Sequence, residues 1–306
     1  MFQYIVKRLG ASIVTIWVIV TITFLLMHAI PGDPLTREKE LPDSIKEALM
    51  EKYHLNEPLS KQYIIYLEGL LQGDLGPSMK YPGENVQDLI KKGFPVSLEL
   101  GLVAIALMLA VGVPAGIISA LRQNKWQDRF AMFLATLGVA VPNFVIATLL
   151  MYILGVKFNI LPTSRWVSWQ SAIMPSIALA AYPTAYIARL IRSSLLDVIG
   201  QDYIRTARAK GLPERVVVYK HALKNALIPL ITYMGPLTAG ILTGSFVVEK
   251  IFAIPGLGQH FVMSIGNRDY TTILGVTVFY ATFLVIMNLI VDLVYGLVDP
   301  RIKIGK

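Results

Sequence analysis

Long apolar runs, each near the length of a bilayer crossing, alternate along the chain with shorter polar connections. A hydrocarbon core needs about 20 apolar residues per helix. Six stretches qualify, roughly 9–30, 97–121, 130–154, 172–188, 227–248 and 271–297. The first is too long for a signal-peptide core and has no small-residue cleavage site, so it reads as a retained anchor. Pro142-Asn143 interrupts the third run, and Pro175 and Pro183 the fourth. Such broken helices can line a transport pathway, and ordinary kinks account for them equally well.

The long connection 31–96 has a different pattern, with eight basic and eleven acidic residues and three amphipathic pieces. "PDSIKEALMEKY" offers Asp43 or Ser44 as an N-cap, with Ile45, Ala48 and Leu49 on one face. "SKQYIIYLEGLLQG" starts at Ser60, aligns Ile64, Leu67 and Leu71, and ends at Gly73. "ENVQDLIKKG" repeats the pattern with Val86, Leu89 and Ile90. The pieces predict short helices that cap the bundle externally and are too few for a core of their own. The expected protein is an all-α integral membrane protein with six transmembrane helices. It divides into 1–30, 31–96 as an extracytoplasmic helical cap, and 97–306 with five further spans.

Composition agrees: 55% of residues are hydrophobic, only 16% charged, and mean hydropathy is +0.58, which points away from a soluble domain. The net charge of +8 is a matter of placement. Sixteen Lys and Arg fall in the N-terminus, the 122–129 loop, the 189–226 loop and the tail, against four in the opposite short loops. By the positive-inside rule both termini and the 189–226 loop are cytoplasmic, and nucleic acid is an unnecessary partner. The chain has no cysteine, which removes disulfides and thiolate chemistry. His28, His54, His221 and His260 have no metal-ligand spacing.

No phosphate-binding G-x-x-x-x-G-K-[ST] occurs; the one Gly-Lys pair is Gly305-Lys306. Ser245 with His260 is the nearest approach to a serine hydrolase. The pairs Gly112/Gly116 and Gly240/Gly244 are more simply explained as close helix packing. Glu99 and Asp292 are the acidic groups considered for an ion-coupled pathway, Asp292 serving a pathway or pairing with an inner-leaflet arginine or with backbone. The polar liners considered are Asn143, Tyr182, Tyr186 and Asn288, which helix–helix hydrogen bonding also explains.

The least membrane-like part of the second half is "DYIRTARAKGLPERVVVYKHALKNALIP", residues 202–229. Asp202 is placed to cap a helix Tyr203 to Lys210 that stops at Gly211. Pro213 suits the first turn of a second helix, with Glu214 at its positive end. Val216, Tyr219, Leu223 and Leu227 give that helix an apolar stripe leading into the fifth span. A basic amphipathic helix on anionic lipid is one reading. A docking element that passes its motion to the fifth span is the other, favoured by the Gly211-Leu212-Pro213 turn, which lipid binding does not require.

This stretch closely resembles the cytoplasmic signature loop of ABC-importer permeases, in its peptide-transporter version. Ala207 and Gly211 match the pattern E-A-A-x-x-x-G, while Arg205 and Thr206 replace its Glu and Ala. "KRL" and "IPGDP" around the first span, "YHLNEPLSKQYIIYLEGLLQGDLG" (53–76), "IFAIPGLGQ" (251–259), "RDY" (268–270) and "DPRI" (299–302) are similar to the same branch. The resemblance implies a type I ABC-importer permease, the B-type subunit for oligopeptides or dipeptides, in a bacterial or archaeal inner membrane. It also implies a second permease subunit, two cytoplasmic ATPases that use ATP and Mg, an extracytoplasmic binding protein, and no cofactor on this chain. The coupling contact would fall on Ala207, Arg208, Ala209, Lys210, Gly211, Leu212, Pro213, Glu214, Arg215, Val216 and Val217. Permeases for nickel, glutathione or oligosaccharide share the scaffold, and a motor-independent secondary carrier is the remaining alternative.

Overall fold

The computed structural model describes residues 2–29, 42–81, 83–164 and 166–298. "IPGDP", "DPRI" and the side chain of Asp292 lie outside the described parts. The described residues are helical throughout, apart from loops and one bridge between Pro77 and Asn85. Among the described residues five helices are long and apolar enough to cross a membrane, or up to six crossings if a bent pair is one span. The chain forms two compact units: Met1–Val96 with Gly256–Val285, and Ser97–Pro255 with Ile286–Ile304.

The first unit holds α1 (Phe2–Ala29), α2 (Asp43–Lys52), α3 (Leu59–Leu71), the start of α4 (Val86–Leu121), α13 (Leu257–Asn267) and the start of α14 (Tyr270–Val298). The two cap helices exist, but their starts differ from expectation. Pro42 and Pro58 occupy the N-cap positions, so proline, not Asp43, Ser44 or Ser60, caps each helix. Proline's fixed φ and missing N–H suit a chain about to enter a helix. Gly73, at φ 76°, follows α3 as expected. "ENVQDLIKKG" is not a separate helix; it forms the first turns of α4. Gly93 within α4 serves close packing: a Cβ there would stand 3.0 Å from the Leu257 backbone.

The cap shares its core with α1, α13 and α14. Thr21 and the Tyr63 hydroxyl are 2.6 Å apart, and His28 meets Gln62 at 3.1 Å. Val86, Ile90, Leu257 and Val276 form one buried cluster, and Phe94 packs edge-on against Phe279 at 4.8 Å. Asp269, at the start of α14 and fully buried, accepts from the Ser78 hydroxyl at 2.5 Å and the Met79 N–H at 3.1 Å. It also accepts from Thr272 through both N–H and O–H.

In the second unit α7 (Ile173–Ile199) is central, with most of its apolar window buried. The fourth span was expected to be short and interrupted; α7 is continuous to Ile199. Pro175 falls in its first turn, where a missing N–H costs nothing, and Pro183 is carried inside. The third span is the broken one, because α5 (Trp126–Ala140) and α6 (Asn143–Leu150, extended by a π-helical Met151–Lys157) meet at 104°. Glycines let α4 and α5 approach α7: a Cβ at Gly112 would lie 3.0 Å from the Thr184 carbonyl, and one at Gly116 2.7 Å from that of Ala188. Gly138 of α5 does the same against Ala185. Gly240 departs from this pattern, being exposed with no atom within 4 Å of a Cβ. Gly244 is not a helix-packing residue either; at φ 89° it makes the turn between α11 (Ile228–Leu242) and α12 (Phe246–Ile251), against Ser97 and Glu249.

Candidate functional site: an exposed elbow and a tyrosine groove

After α7 the chain enters α8 (Asp202–Ala209), which begins one residue early because Gln201 is its N-cap; Asp202 lies in the first turn, near the positive helix end. Gly211, at φ 74°, closes α8 as a Schellman motif. The Gly211 N–H donates to the Arg208 carbonyl at 2.9 Å and the Leu212 N–H to that of Ala207 at 3.4 Å. Pro213 is the N-cap of α9 (Glu214–Val216), one position earlier than expected, and its carbonyl receives the N–H groups of Val216 and Val217. Arg208 braces the turn with a two-pronged bond to Glu214, at 3.1 and 2.6 Å. That bond from Arg208 holds the Glu214 carboxyl below the ordinary carboxylate range.

The elbow is anchored from one side only. Ile204, Ala207, Val217, Ala222 and Ala226 pack with Leu195 of α7 and Ala120 of α4 into one buried cluster. Ala207 and Val217 therefore face this chain's own core. The exposed run is Arg208, Ala209, Lys210, Gly211, Leu212, Pro213, Glu214 and Arg215, with Val216 half-buried. The expected stripe is also shifted. A π-helical Val217–Ala222 adds residues to the turn, so Val217, Val218, Ala222 and Ala226 point inward while Tyr219 is exposed. α10 (Leu223–Ala226) then leads through Leu227 into α11.

Tyr182 and Tyr186 share a face of α7, their rings 6.4 Å apart. Tyr233 of α11, missed in the sequence, stacks on Tyr186 at 4.3 Å. With Thr136, Arg189 and Ser193 nearby, the two α7 tyrosines line an open groove of about 660 Å³. Asn143 and Asn288 do not line it: Asn143 begins α6 beyond the bend, and Asn288 lies on α14. Just below, Asp128 of α5 accepts from Arg192 at 2.6 and 2.8 Å, from the Asn124 N–H at 2.8 Å, and from the Ser119 hydroxyl.

Other groups have structural uses. Ser245 caps α12 by accepting from the Val248 N–H. Burial pushes the His260 imidazole down, against the edge of Tyr81. Glu249, fully buried against Ser97 at 2.8 Å, is the acidic residue the sequence reading passed over, while Glu99 is exposed. A Glu-Lys pair at the end of an apolar run looks like a helix terminus, and nothing in that pattern shows which side chain turns inward.

The described helices form a multi-pass bundle with an exposed, braced elbow between two spans, which fits a membrane permease. The comparisons agree. Residues 112–304 match the family described as binding-protein-dependent transport system inner membrane component, and residues 1–101 match its N-terminal companion. The chain belongs to this family and is a permease subunit. It is 51% identical to the dipeptide transport system permease protein DppB of Bacillus subtilis, over 100% of this chain and 99% of that one. It is 43% identical to the oligopeptide transport system permease protein OppB of Haemophilus influenzae, over 99% and 100%. The inward-facing MetNI methionine ABC transporter shares the fold at 17% identity, with TM-score 0.54 over 70% of this chain and 97% of that one.

Proposed function

We propose that this chain is the B-type membrane subunit of an ATP-driven importer that carries dipeptides or oligopeptides into the cytoplasm by alternating access. The full-length identity to dipeptide and oligopeptide permeases supports the substrate class. Its partners would be a second, similar permease subunit, two cytoplasmic ATPases using ATP and Mg, and an extracytoplasmic binding protein that selects the peptide. The distribution of Lys and Arg supports cytoplasmic termini in a bacterial or archaeal inner membrane.

The observation that carries the mechanism is the exposed elbow Arg208–Arg215 on a buried base. An ATPase dimer that closes on ATP would press on it, and the base would pass the displacement to α7 and, through α10, to α11. Nucleotide shifts the permease only if the two conformations differ in affinity for the closed motor. Gly211 has open space around it but a left-handed backbone, so Gly211→Leu strains the turn without filling a cavity. Peptide uptake by the reconstituted transporter should fall about tenfold while the ATPases still bind, as expected for a lost coupling term. Unchanged uptake per ATP hydrolysed would remove the elbow from the mechanism.

A further inference from the structure

Arg189 and Arg192 stand three residues apart on α7, and the fold treats them differently. Arg192 is committed to Asp128 through two nitrogens. Arg189 donates to the Thr136 hydroxyl at 2.8 Å and has no carboxylate partner among the described residues. A guanidinium near an apolar span without a counter-ion is costly unless it meets water or an anion. Its neighbours on the helix form an aromatic ladder. Tyr182, Tyr186 and Arg189 follow at i, i+4 and i+7 along one face, and Tyr233 stacks on the same ladder. None of the three hydroxyls has a hydrogen-bond partner among the described residues.

We propose that Arg189 and the stack of Tyr182, Tyr186 and Tyr233 form a subsite for the C-terminal carboxylate of the peptide in transit. The carboxylate sits on the guanidinium and the preceding residues lie along the rings. The idea deepens the peptide-import reading and rests on it. The chemistry suits a carrier that tolerates many sequences, because every linear peptide ends in a carboxylate. A forked guanidinium recognises that group in two-pronged geometry. Tyrosine faces accept varied side chains without demanding one. The spacing fits as well: seven residues of helix from Tyr182 to Arg189 span about 10 Å, close to three extended peptide residues. A lipid phosphate would need the guanidinium but has no use for three stacked rings.

The test uses the complete transporter, with both permeases, both ATPases and the binding protein, reconstituted in vesicles. Recovery of assembled complex serves as the folding control, and Arg189→Lys is carried in parallel because it keeps the charge without the fork. Arg189→Gln should slow uptake of a free-acid tripeptide about tenfold, the size of one lost charge-assisted bond. Uptake of the C-terminal amide should keep its wild-type rate, with Arg189→Lys falling between on the free acid. A tripeptide ending in a photoreactive benzoyl-phenylalanine should cross-link to the Tyr182–Tyr186 segment in the wild type and lose that product in Arg189→Gln. Equal slowing of acid and amide, or an unchanged cross-link, overturns the subsite. Wild-type uptake that drops to the Arg189→Gln level in phosphatidylcholine-only vesicles assigns the guanidinium to an anionic lipid and also overturns it. A wild-type complex that moves no peptide at all refutes the import reading beneath it instead.

Discussion

Each of the two units is fastened by a buried aspartate near the start of a membrane helix, and the two are satisfied in opposite ways. Asp269 is surrounded by neutral donors: the Ser78 hydroxyl, the N–H groups of Met79 and Lys80, and both donors of Thr272. Asp128 is held mainly by a guanidinium, Arg192, whose side chain keeps 25% of its exposure. A knot of short neutral bonds fixes a loop to a helix end in one geometry. A two-pronged ion pair between helices can be released and remade as one helix slides, since its cation already reaches water. The first arrangement suits a static cap. The second keeps its cation partly in solvent.

The comparison can be tested from its strongest side. Asp269→Ala leaves buried hydroxyls and N–H groups unpaired and should cost about 3–4 kcal/mol. Thermal unfolding of the purified complex would register this as a large loss, and no second-site truncation should restore it. Asp128→Ala strands Arg192 and Ser119, and because Arg192 turns toward solvent the expected loss is smaller, about 2–3 kcal/mol. Here the double variant Asp128→Ala/Arg192→Ala should recover part of the stability, which a double-mutant cycle measures directly. Recovery at Asp269 but not at Asp128 would reverse the distinction.

The smallest effect is expected at the elbow's exposed brace. Glu214 is held below its unfolded value near 4.5 by Arg208, so the unfolded chain binds the proton more readily. The brace is complete above pH 4.5 and is lost as pH falls through the lowered value. Both side chains are well exposed, at 40% and 59%, which limits the contribution to about 0.5 kcal/mol or less. Hydrogen exchange across 202–216 should change little between pH 7 and 5 and rise modestly below 4.

The elbow was legible because its punctuation is local: Gly211 is needed where φ is positive, and Pro213 where a helix begins. Its inward face was misread, since a π-turn shifts the register without altering residue type. The tyrosine stack was legible in part. Tyr182 and Tyr186 follow helical spacing, whereas Tyr233 joins them from another helix and Asn143 and Asn288 do not.

Sequence alone determined that this is a helical membrane protein with short helices between its first two spans and a polar elbow, because apolar run length and turn residues act within a few residues of themselves. Tertiary structure decided which carboxylates are buried, which glycines are contacts, and which of Arg189 and Arg192 meets a carboxylate among the described residues. Those are properties of pairs of side chains far apart in sequence, as with Ser78 and Asp269 or Asp128 and Arg192. Burial and pairing are set only when the helices pack.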